Sequence, residues 1–428
     1  MNVLVIGSGG REHALAWKIS QSQEVAEIYV APGNGAEGFQ NAKIDVSDHS
    51  QVKDFCLENW IDLVVVGPEA PLAKGLVDDL LADGLVVFGP GQKCAQLESS
   101  KLFAKRFMQK WGIPTAEWRW LTWGGIMSRG LVPTVAELSL LLEQWGGSCV
   151  VKADGLAGGK GVIVCEGSKE LLLALQSLMR DFPEATRDII IEQKLEGPEL
   201  SYIVIADGES YVPLPPSRDY KRQKTGDQGP NTGGMGAFTP VPISDVLREN
   251  IEESIIQPAL HGISLDMQES YCGFLYAGLM LTEDGPKVLE FNVRGGDPET
   301  EALMVAVEDD LAPIIDDAAS GRLHTHYYST LTLQTSPTCC VVIADELYPK
   351  ARHSTRGIYG IRTADTLEGV KVFHCGTKNF EGEILTAGGR LLAVTAKGDT
   401  AEEARAKAYE AVGRIEVEHA QHRTDIGQ

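Results

Sequence analysis

The sequence predicts a multidomain protein of mixed α/β and α+β class: an N-terminal doubly wound parallel sheet, a larger mixed-sheet core interrupted by a lid, and a small C-terminal α+β domain. Three observations carry this. Short apolar runs near the N-terminus each end in glycine or proline: Val3 to Ile6 before Gly7, Ile28 to Val30 before Ala31-Pro32-Gly33, Leu63 to Val66 before Gly67-Pro68, and Val86 to Phe88 before Gly89-Pro90. A glycine-rich stretch from Lys152 to Gly161 is flanked by two β-branched runs. Farther on, the alternating segment Val288 to Arg294 stops abruptly at Gly295-Gly296-Asp297-Pro298.

The N-terminal runs have the length and flanks of strands buried on both faces. Helical patterns between them, such as Ala14-Leu15-Ala16-Trp17 and Gly75 to Leu81, complete the βαβ units, so residues 1–100 read as one domain with its ligand loops beyond the strand C-termini. A helix over Cys94 to Trp111 follows and is stopped by Gly112-Ile113-Pro114. Trp118 to Pro133 is dense in Trp and Gly without periodicity and reads as an irregular loop or edge, with no function assigned. The next stretch alternates a helix, strand Cys149 to Lys152, the glycine turn, strand Val162 to Cys165, helix Lys169 to Arg180 and strand Asp188 to Ile191, which together make a compact lid. The lid is assigned to 122–188, and the core to 101–121 plus 189–323, with strands at Ser201 to Ala206, Leu275 to Leu281 and Lys287 to Phe291. After a polar linker, the C-terminal domain at 331–428 holds strands Thr338 to Ala344 and Leu391 to Thr395 and a helix from Thr400 to Ile415.

Composition narrows the function. The 60 acidic against 38 basic residues give a formal charge of -22, the wrong sign for a nucleic-acid binder. Anions must then be captured locally, by backbone N–H groups and single Lys or Arg side chains. The eight cysteines show neither a CxxC pair nor Cys/His ligand spacing, so they suggest neither a zinc site nor a disulfide framework. The N-terminus lacks a basic leader, and its apolar run is too short for a membrane helix. A cytoplasmic protein acting on small molecules, with no nucleic-acid or membrane partner and a monomeric assembly, is the expectation.

Gly7-Ser8-Gly9-Gly10-Arg11-Glu12-His13 follows a strand and opens a helix, so its N–H groups are placed to meet a phosphate. It departs from GxGxxG at Arg11 and Glu12, and no acid follows Tyr29-Val30 to hold a ribose, which argues against a nicotinamide dinucleotide site. Lys152 to Val162 is not a Walker A loop, because Gly161 runs into a strand and not into a helix. Gly158, Gly159, Lys160 and Gly161 instead make the turn of a hairpin able to close over a triphosphate, with Lys152 as the fixed cation. On Val288 to Arg294, alternation points Glu290, Asn292 and Arg294 to one face, and a carboxylate with an amide oxygen suits Mg2+. Ser217 to Arg222 and Gly229 to Ala237 form a charged, glycine-rich loop too long for a mere connection.

Together with Pro32-Gly33-Asn34, Val66-Gly67-Pro68-Glu69, Gly296-Asp297-Pro298-Glu299-Thr300 and the terminal Arg423 to Gly427, these motifs resemble the ATP-grasp superfamily, and within it the glycinamide ribonucleotide synthetase family, over the whole chain. The resemblance implies an ATP-grasp core with a mobile lid and an ATP-dependent carbon–nitrogen ligase of purine biosynthesis. In that reaction glycine is phosphorylated to an acyl phosphate and then joined to 5-phosphoribosylamine. It further implies that Lys101 and Lys152 hold ATP phosphates, Glu192 and Leu195 the adenine, Glu199 the ribose, Glu290 and Asn292 a Mg2+ or Mn2+ ion, and Arg294 the glycine carboxylate. The loops with Gly9, Gly10, Arg11, Glu12, Asn34, Pro68 and Glu69 would face the phosphoribosyl group, and Asp219, Gly233 and Gly234 would also contact substrate. The chain departs from the family pattern at Tyr220, at Gly295 where Phe is usual after the arginine, and at Glu301 where Gln is usual.

Overall fold

The computed structural model describes residues 1–122, 135–155, 161–182, 186, 188–326 and 332–428. The N-terminal apolar runs become β1 (Asn2–Gly7), β2 (Glu27–Pro32), β4 (Leu63–Val66) and β5 (Val87–Phe88), which with β3 (Gln40–Asn41) form one parallel sheet in the order β3-β2-β1-β4-β5. Val3 to Ile6 and Leu63 to Val65 are fully buried, as unbroken apolar runs require.

The single helix expected over Cys94 to Trp111 is instead two, Gln96–Ser99 and Lys101–Trp111. Ser100 is extended between them and its Oγ accepts the Phe103 N–H, capping the second helix. The break leaves Glu98 and Lys101 both facing the large cavity described below.

The lid sheet comprises β6 (Trp118–Thr122), β7 (Cys149–Ala153), β8 (Val162–Cys165) and β9 (Asp188–Gln193), all antiparallel in the order β6-β9-β7-β8. Of the two readings of Trp118 to Pro133, loop or edge, its start is an edge strand, while 123–134 lie outside the described residues. The divisions expected at 121/122 and 188/189 both fall inside this sheet. Trp120 pairs with Ile190 and lies under the Arg106 guanidinium, 4.9 Å from its ring, a contact between distant segments that periodicity does not reveal.

The core sheet is built on β10 (Glu199–Ala206) and β11 (Tyr211–Pro213). Next come β12 (Arg218–Asp219), the hairpin β13 (Arg222–Lys224) and β14 (Gln228–Asn231), and β15 (Gly236–Thr239), so the long glycine-rich loop is largely short strands. β16 (Gly273–Thr282) and β17 (Gly285–Asn292) complete the core in the order β11-β10-β16-β17. The C-terminal strands are β18 (Thr338–Asp345), β19 (Val370–His374), the hairpin β20 (Thr377–Phe380) and β21 (Glu383–Thr386), β22 (Arg390–Lys397) and β23 (Ala420–Gln421). Their sheet does not close within 331–428: its order is β12-β15-β18-β22-β19, with β23 also on β18. Every residue of β18 is buried, so both of its edges need partners, and β15 supplies one of them from the middle of the chain.

Helix Ala401–Val412 covers one face of that sheet with Ala404, Ala408 and Ala411. Helix Glu299–Ala306, buried over its whole length, fills the space between β15, β18, β22 and the N-terminal helix Gly10–Ile19. Two acidic residues, Glu299 and Glu301, are thereby carried into the interior.

Candidate active site

A cavity of about 600 Å³ lies between the lid sheet, strands β10, β16 and β17, and the turn that follows β17. One end is apolar, lined by Val150, Val162, Val164, Leu195, Met280 and Leu289. At its base the Glu192 carboxylate has Oε2 3.1 Å from both the Lys105 and the Lys152 ammonium groups, while its Oε1 is buried with no partner among the described residues. Lys152 also donates to the Leu289 carbonyl (2.9 Å). That carbonyl is offered by a β-bulge: Gly278 pairs with Glu290 but Leu279 with Val288, so Leu289 is the extra residue. Burial, with Lys152 alongside, brings the Lys105 ammonium down to about 8 despite Glu192. Two buried cations thus share one carboxylate, which leaves this end short of negative charge.

The middle of the cavity has the opposite imbalance. Lys221 pairs with Glu199 (2.6 Å) and lies 3.8 Å from Asp219, and Glu290 and Glu299 line the same wall. Glu299 Oε1 accepts from Tyr276 Oη (2.6 Å) and Ser201 Oγ (3.0 Å). Burial pushes Asp219 up to about 7; Lys221 opposes this, and Glu299, Glu199 and Glu290 add to it. Burial acts to raise Glu290 as well, but Lys221, Lys101, Lys152 and Arg294 outweigh it and hold the carboxyl below its usual value, so it is ionised. Asn292 presents its amide beside it, with Oδ1 3.5 Å from Arg294 Nη2. Crowded carboxylate and amide oxygens are the donor set of a hard divalent cation, and these residues fit one.

At the far end, Arg294 is clamped: Nη2 is 2.7 Å from Glu98 Oε1, Nε is 3.3 Å from Glu69 Oε2, and Nη1 donates to the Gly295 carbonyl (3.1 Å). Arg11 donates to the same carbonyl (3.2 Å). Gly295 is therefore present in the site through its carbonyl; a Cβ there would lie 2.4 Å from Thr300 Oγ1. Tyr220 points elsewhere, its hydroxyl accepting the Gly427 N–H (3.0 Å) and its ring lying 4.9 Å from the Arg423 guanidinium, so that departure locks the C-terminal segment and leaves the cavity unchanged.

Of the residues singled out in the sequence, Lys101, Lys152, Gly161, Glu192, Leu195, Glu199, Glu290, Asn292, Arg294, Arg11, Pro68, Glu69, Asp219 and Gly233 line this one cavity. Gly158, Gly159 and Lys160 lie outside the described residues. Gly9, Gly10, Glu12, Asn34 and Gly234 are not among its lining residues. The Gly9 amide, read as open to a phosphate, donates instead to Glu12 Oε2 (2.7 Å), which caps its own helix. Gly7, at φ +135°, and Gly67 are needed for this, since a Cβ on either would lie within 2.4 Å of the Glu12 side chain. The Asn34 amide is spent on the Ser8 and His374 carbonyls, tying the N-terminal loops to β19. Gly234, at φ +117°, packs on Pro298.

Sequence reasoning missed Glu98, Lys105, Lys221, Tyr276, Glu299 and Arg390, all of which line the cavity. Lys221 and Glu299 stood inside quoted motifs, whereas Lys105, in mid-helix, carries no local signal.

Glu301 is buried beside Asp297, and among the described residues neither Glu301 oxygen nor Asp297 Oδ1 has a partner that could donate to it while both groups are ionised. Arg390 takes the other Asp297 oxygen (2.8 Å). Burial, then Asp297, drive Glu301 well above the ordinary glutamate value, so it holds a proton and donates to Asp297. In this state it does what the amide of the usual Gln would do. The folded state thus binds a proton that the unfolded chain releases near its ordinary value of 4.5, and stability falls by up to about 1.4 kcal/mol per pH unit above that value, until the folded group itself ionises. Glu301→Gln is expected to flatten this slope between pH 5 and 9 in denaturant midpoints; an unchanged slope would show that Glu301 is not the proton carrier.

A lysine pair facing an apolar slot, a wall of carboxylates and a four-stranded lid sheet together define an ATP-grasp enzyme. Solved structures agree at the level of fold: the biotin carboxylase domain of Hydrogenobacter thermophilus 2-oxoglutarate carboxylase superposes with a TM-score of 0.71 at 17% identity, over 98% of this chain and 91% of that one. The chain belongs to the phosphoribosylglycinamide synthetase family, whose N domain matches residues 1–98, ATP-grasp domain 99–300 and C domain 338–428. It is 45% identical to the phosphoribosylamine–glycine ligase of Rhodopirellula baltica over 99% of this chain and 97% of that one. It is 44% identical to the human trifunctional purine biosynthetic protein adenosine-3 over 99% of its own length, which is 41% of that longer protein. The crystal structure of a phosphoribosylamine–glycine ligase from Thermotoga maritima superposes with a TM-score of 0.81 at 32% identity, over 99% of this chain and all of that one. No helix among the described residues is long and apolar enough to cross a membrane.

Proposed function

We propose that this chain joins glycine to 5-phosphoribosylamine at the expense of ATP, giving glycinamide ribonucleotide, ADP and phosphate. The observation that carries the proposal is the end-to-end match to a phosphoribosylamine–glycine ligase, all three family domains included. The cavity supports a division of labour. The apolar end with Leu195 and Glu192 receives adenine, and Glu199 the ribose. Lys101 and Lys152 meet the phosphates, and Gly158, Gly159, Lys160 and Gly161 belong to the same phosphate site.

Mg2+, or Mn2+ in its place, would be held by Glu290 and Asn292. When bound it neutralises charge on the transferring phosphoryl group. Glycine binds with its carboxylate toward Arg294. A carboxylate oxygen attacks the γ-phosphorus, the bond to ADP breaks, and glycyl phosphate forms. The amine of phosphoribosylamine then attacks the acyl carbon and phosphate leaves with the original carboxylate oxygen. Arg11, Glu69, Asp219 and Gly233 face the sugar side. Lid closure excludes the water that would hydrolyse the acyl phosphate.

The same reading makes the protein a cytoplasmic monomer. Glycine labelled with 18O in its carboxylate is expected to deliver one label to inorganic phosphate; unlabelled phosphate alongside product would eliminate the acyl phosphate.

A further inference from the structure

The C-terminal part of the chain brings together three side chains that no local spacing connects: Glu346 just after β18, His353 in the following loop, and His419 beside β23. One ligand atom from each lies within 4.8 Å of the other two. His353 Nε2 is 3.3 Å and His419 Nδ1 3.1 Å from the same oxygen, Glu346 Oε1. The other nitrogen of His353 is already engaged, with Nδ1 3.0 Å from Oδ1 of Asp345.

Asp345 is almost wholly buried and rigidly held. Arg356 and the His353 N–H take its Oδ2, and the Leu347 N–H takes Oδ1. With Nδ1 held at Asp345, His353 turns Nε2 toward Glu346. The two imidazole rings lie with centroids 4.6 Å apart and planes 17° from parallel. Two imidazole nitrogens and a carboxylate oxygen are thus gathered within reach of one ion, which a small ring rotation would bring into line. The backbone is fixed on both sides, because the Glu346 N–H donates to the His419 carbonyl (2.9 Å) and Gln421 Nε2 to the Glu346 carbonyl (3.1 Å).

We propose that Glu346, His353 and His419 form a second metal site, selective for a borderline first-row dication such as Zn2+ and separate from the oxygen-lined wall of the cavity. Two imidazoles and a carboxylate are a zinc ligand set that leaves a fourth position for water, and a carboxylate behind a ligating histidine is the usual second shell. Imidazole nitrogen is a poor ligand for Mg2+, so catalytic concentrations of that ion do not compete. The bound ion would fasten the loop after β18 to the C-terminal segment.

The test uses the full chain in excess Mg2+ and ADP, titrated with Zn2+ by calorimetry and with Co2+ by visible absorption. One equivalent of Zn2+ should bind to this site and raise the melting temperature, and Co2+ should give the intense visible band of four-coordination. His353→Ala and His419→Ala should each lose both responses while keeping wild-type ligase activity in Mg2+ and the wild-type melting temperature in chelator. Asp345→Asn should weaken Zn2+ about 10–100-fold. Zn2+ binding undiminished in both histidine variants, or no Zn2+-dependent melting shift in the wild type, would overturn the site. Should either alanine variant melt early in chelator, His353→Gln and His419→Gln serve the same comparison.

Discussion

Glu290→Ala is expected to lower ligase turnover by about 10²–10³-fold, or about 2.7–4 kcal/mol of transition-state stabilisation, while the protein stays folded. The reason lies in the charge balance around the residue. Glu290 is ionised because Lys221, Lys101, Lys152 and Arg294 offset the cost of burying it, and it lines the same wall as Asp219, Glu199 and Glu299. Its loss leaves Lys221, Lys101, Lys152 and Arg294 less well balanced, so the apo protein should lose some stability and still fold. In the proposed reaction the same carboxylate would be the charge that holds the divalent ion. Steady-state ADP release should therefore show both a lower kcat and a raised Mg2+ requirement, and Glu290→Gln, which retains an oxygen ligand without the charge, should fall between. Asp219, pushed up partly by Glu290, should titrate lower in the alanine variant. Wild-type turnover in Glu290→Ala would place the metal elsewhere.

How much of this was legible in the sequence depends on whether a feature is local. β1, β2, β4 and β5 were readable because parallel strands covered on both faces need unbroken apolar runs, and the glycine-interrupted hairpin β7–β8 because its strands adjoin their turn. Glu290 and Asn292 were readable by alternation. Alternation then failed one residue earlier, where the bulge turns Leu289 and Glu290 toward the same cavity. The Glu192 pairing with Lys105 and Lys152 joins three separate elements, and no spacing announces it. Residues 218–219 and 236–237 read as loop because strands of two and four residues carry almost no pattern; what makes a strand of Gly236–Thr239 is the edge of β18, about a hundred residues later, and Arg218–Asp219 then pairs with it. Glu12 looked like a bulky intrusion into a phosphate loop, and only the space left by Gly7 and Gly67 shows it folding back to cap its helix.

Arg294→Met should separate two roles that the wild-type site combines. Arg294 neutralises Glu98, whose carboxylate is otherwise buried and accepts only the Val293 N–H (2.9 Å), and it partly balances Glu69. Removing one member of such a pair leaves a buried charge uncompensated, at a cost of about 3–5 kcal/mol. Burial already raises Glu98 above the ordinary glutamate value even with Arg294 opposing it; in the variant that opposition is gone and the carboxyl rises further. The destabilisation should therefore be largest at neutral and alkaline pH and shrink as Glu98 takes up a proton on acidification. Adding Glu98→Gln removes the stranded charge, so the double variant should regain most of the lost melting temperature at pH 8. Its ligase activity should not return, because the cation proposed to receive the glycine carboxylate is still missing, and the deficit should appear chiefly in the KM for glycine. Full recovery of glycine kinetics in the double variant would reduce Arg294 to a structural counter-ion. A wild-type melting curve for Arg294→Met alone would mean that the pair carries no stability.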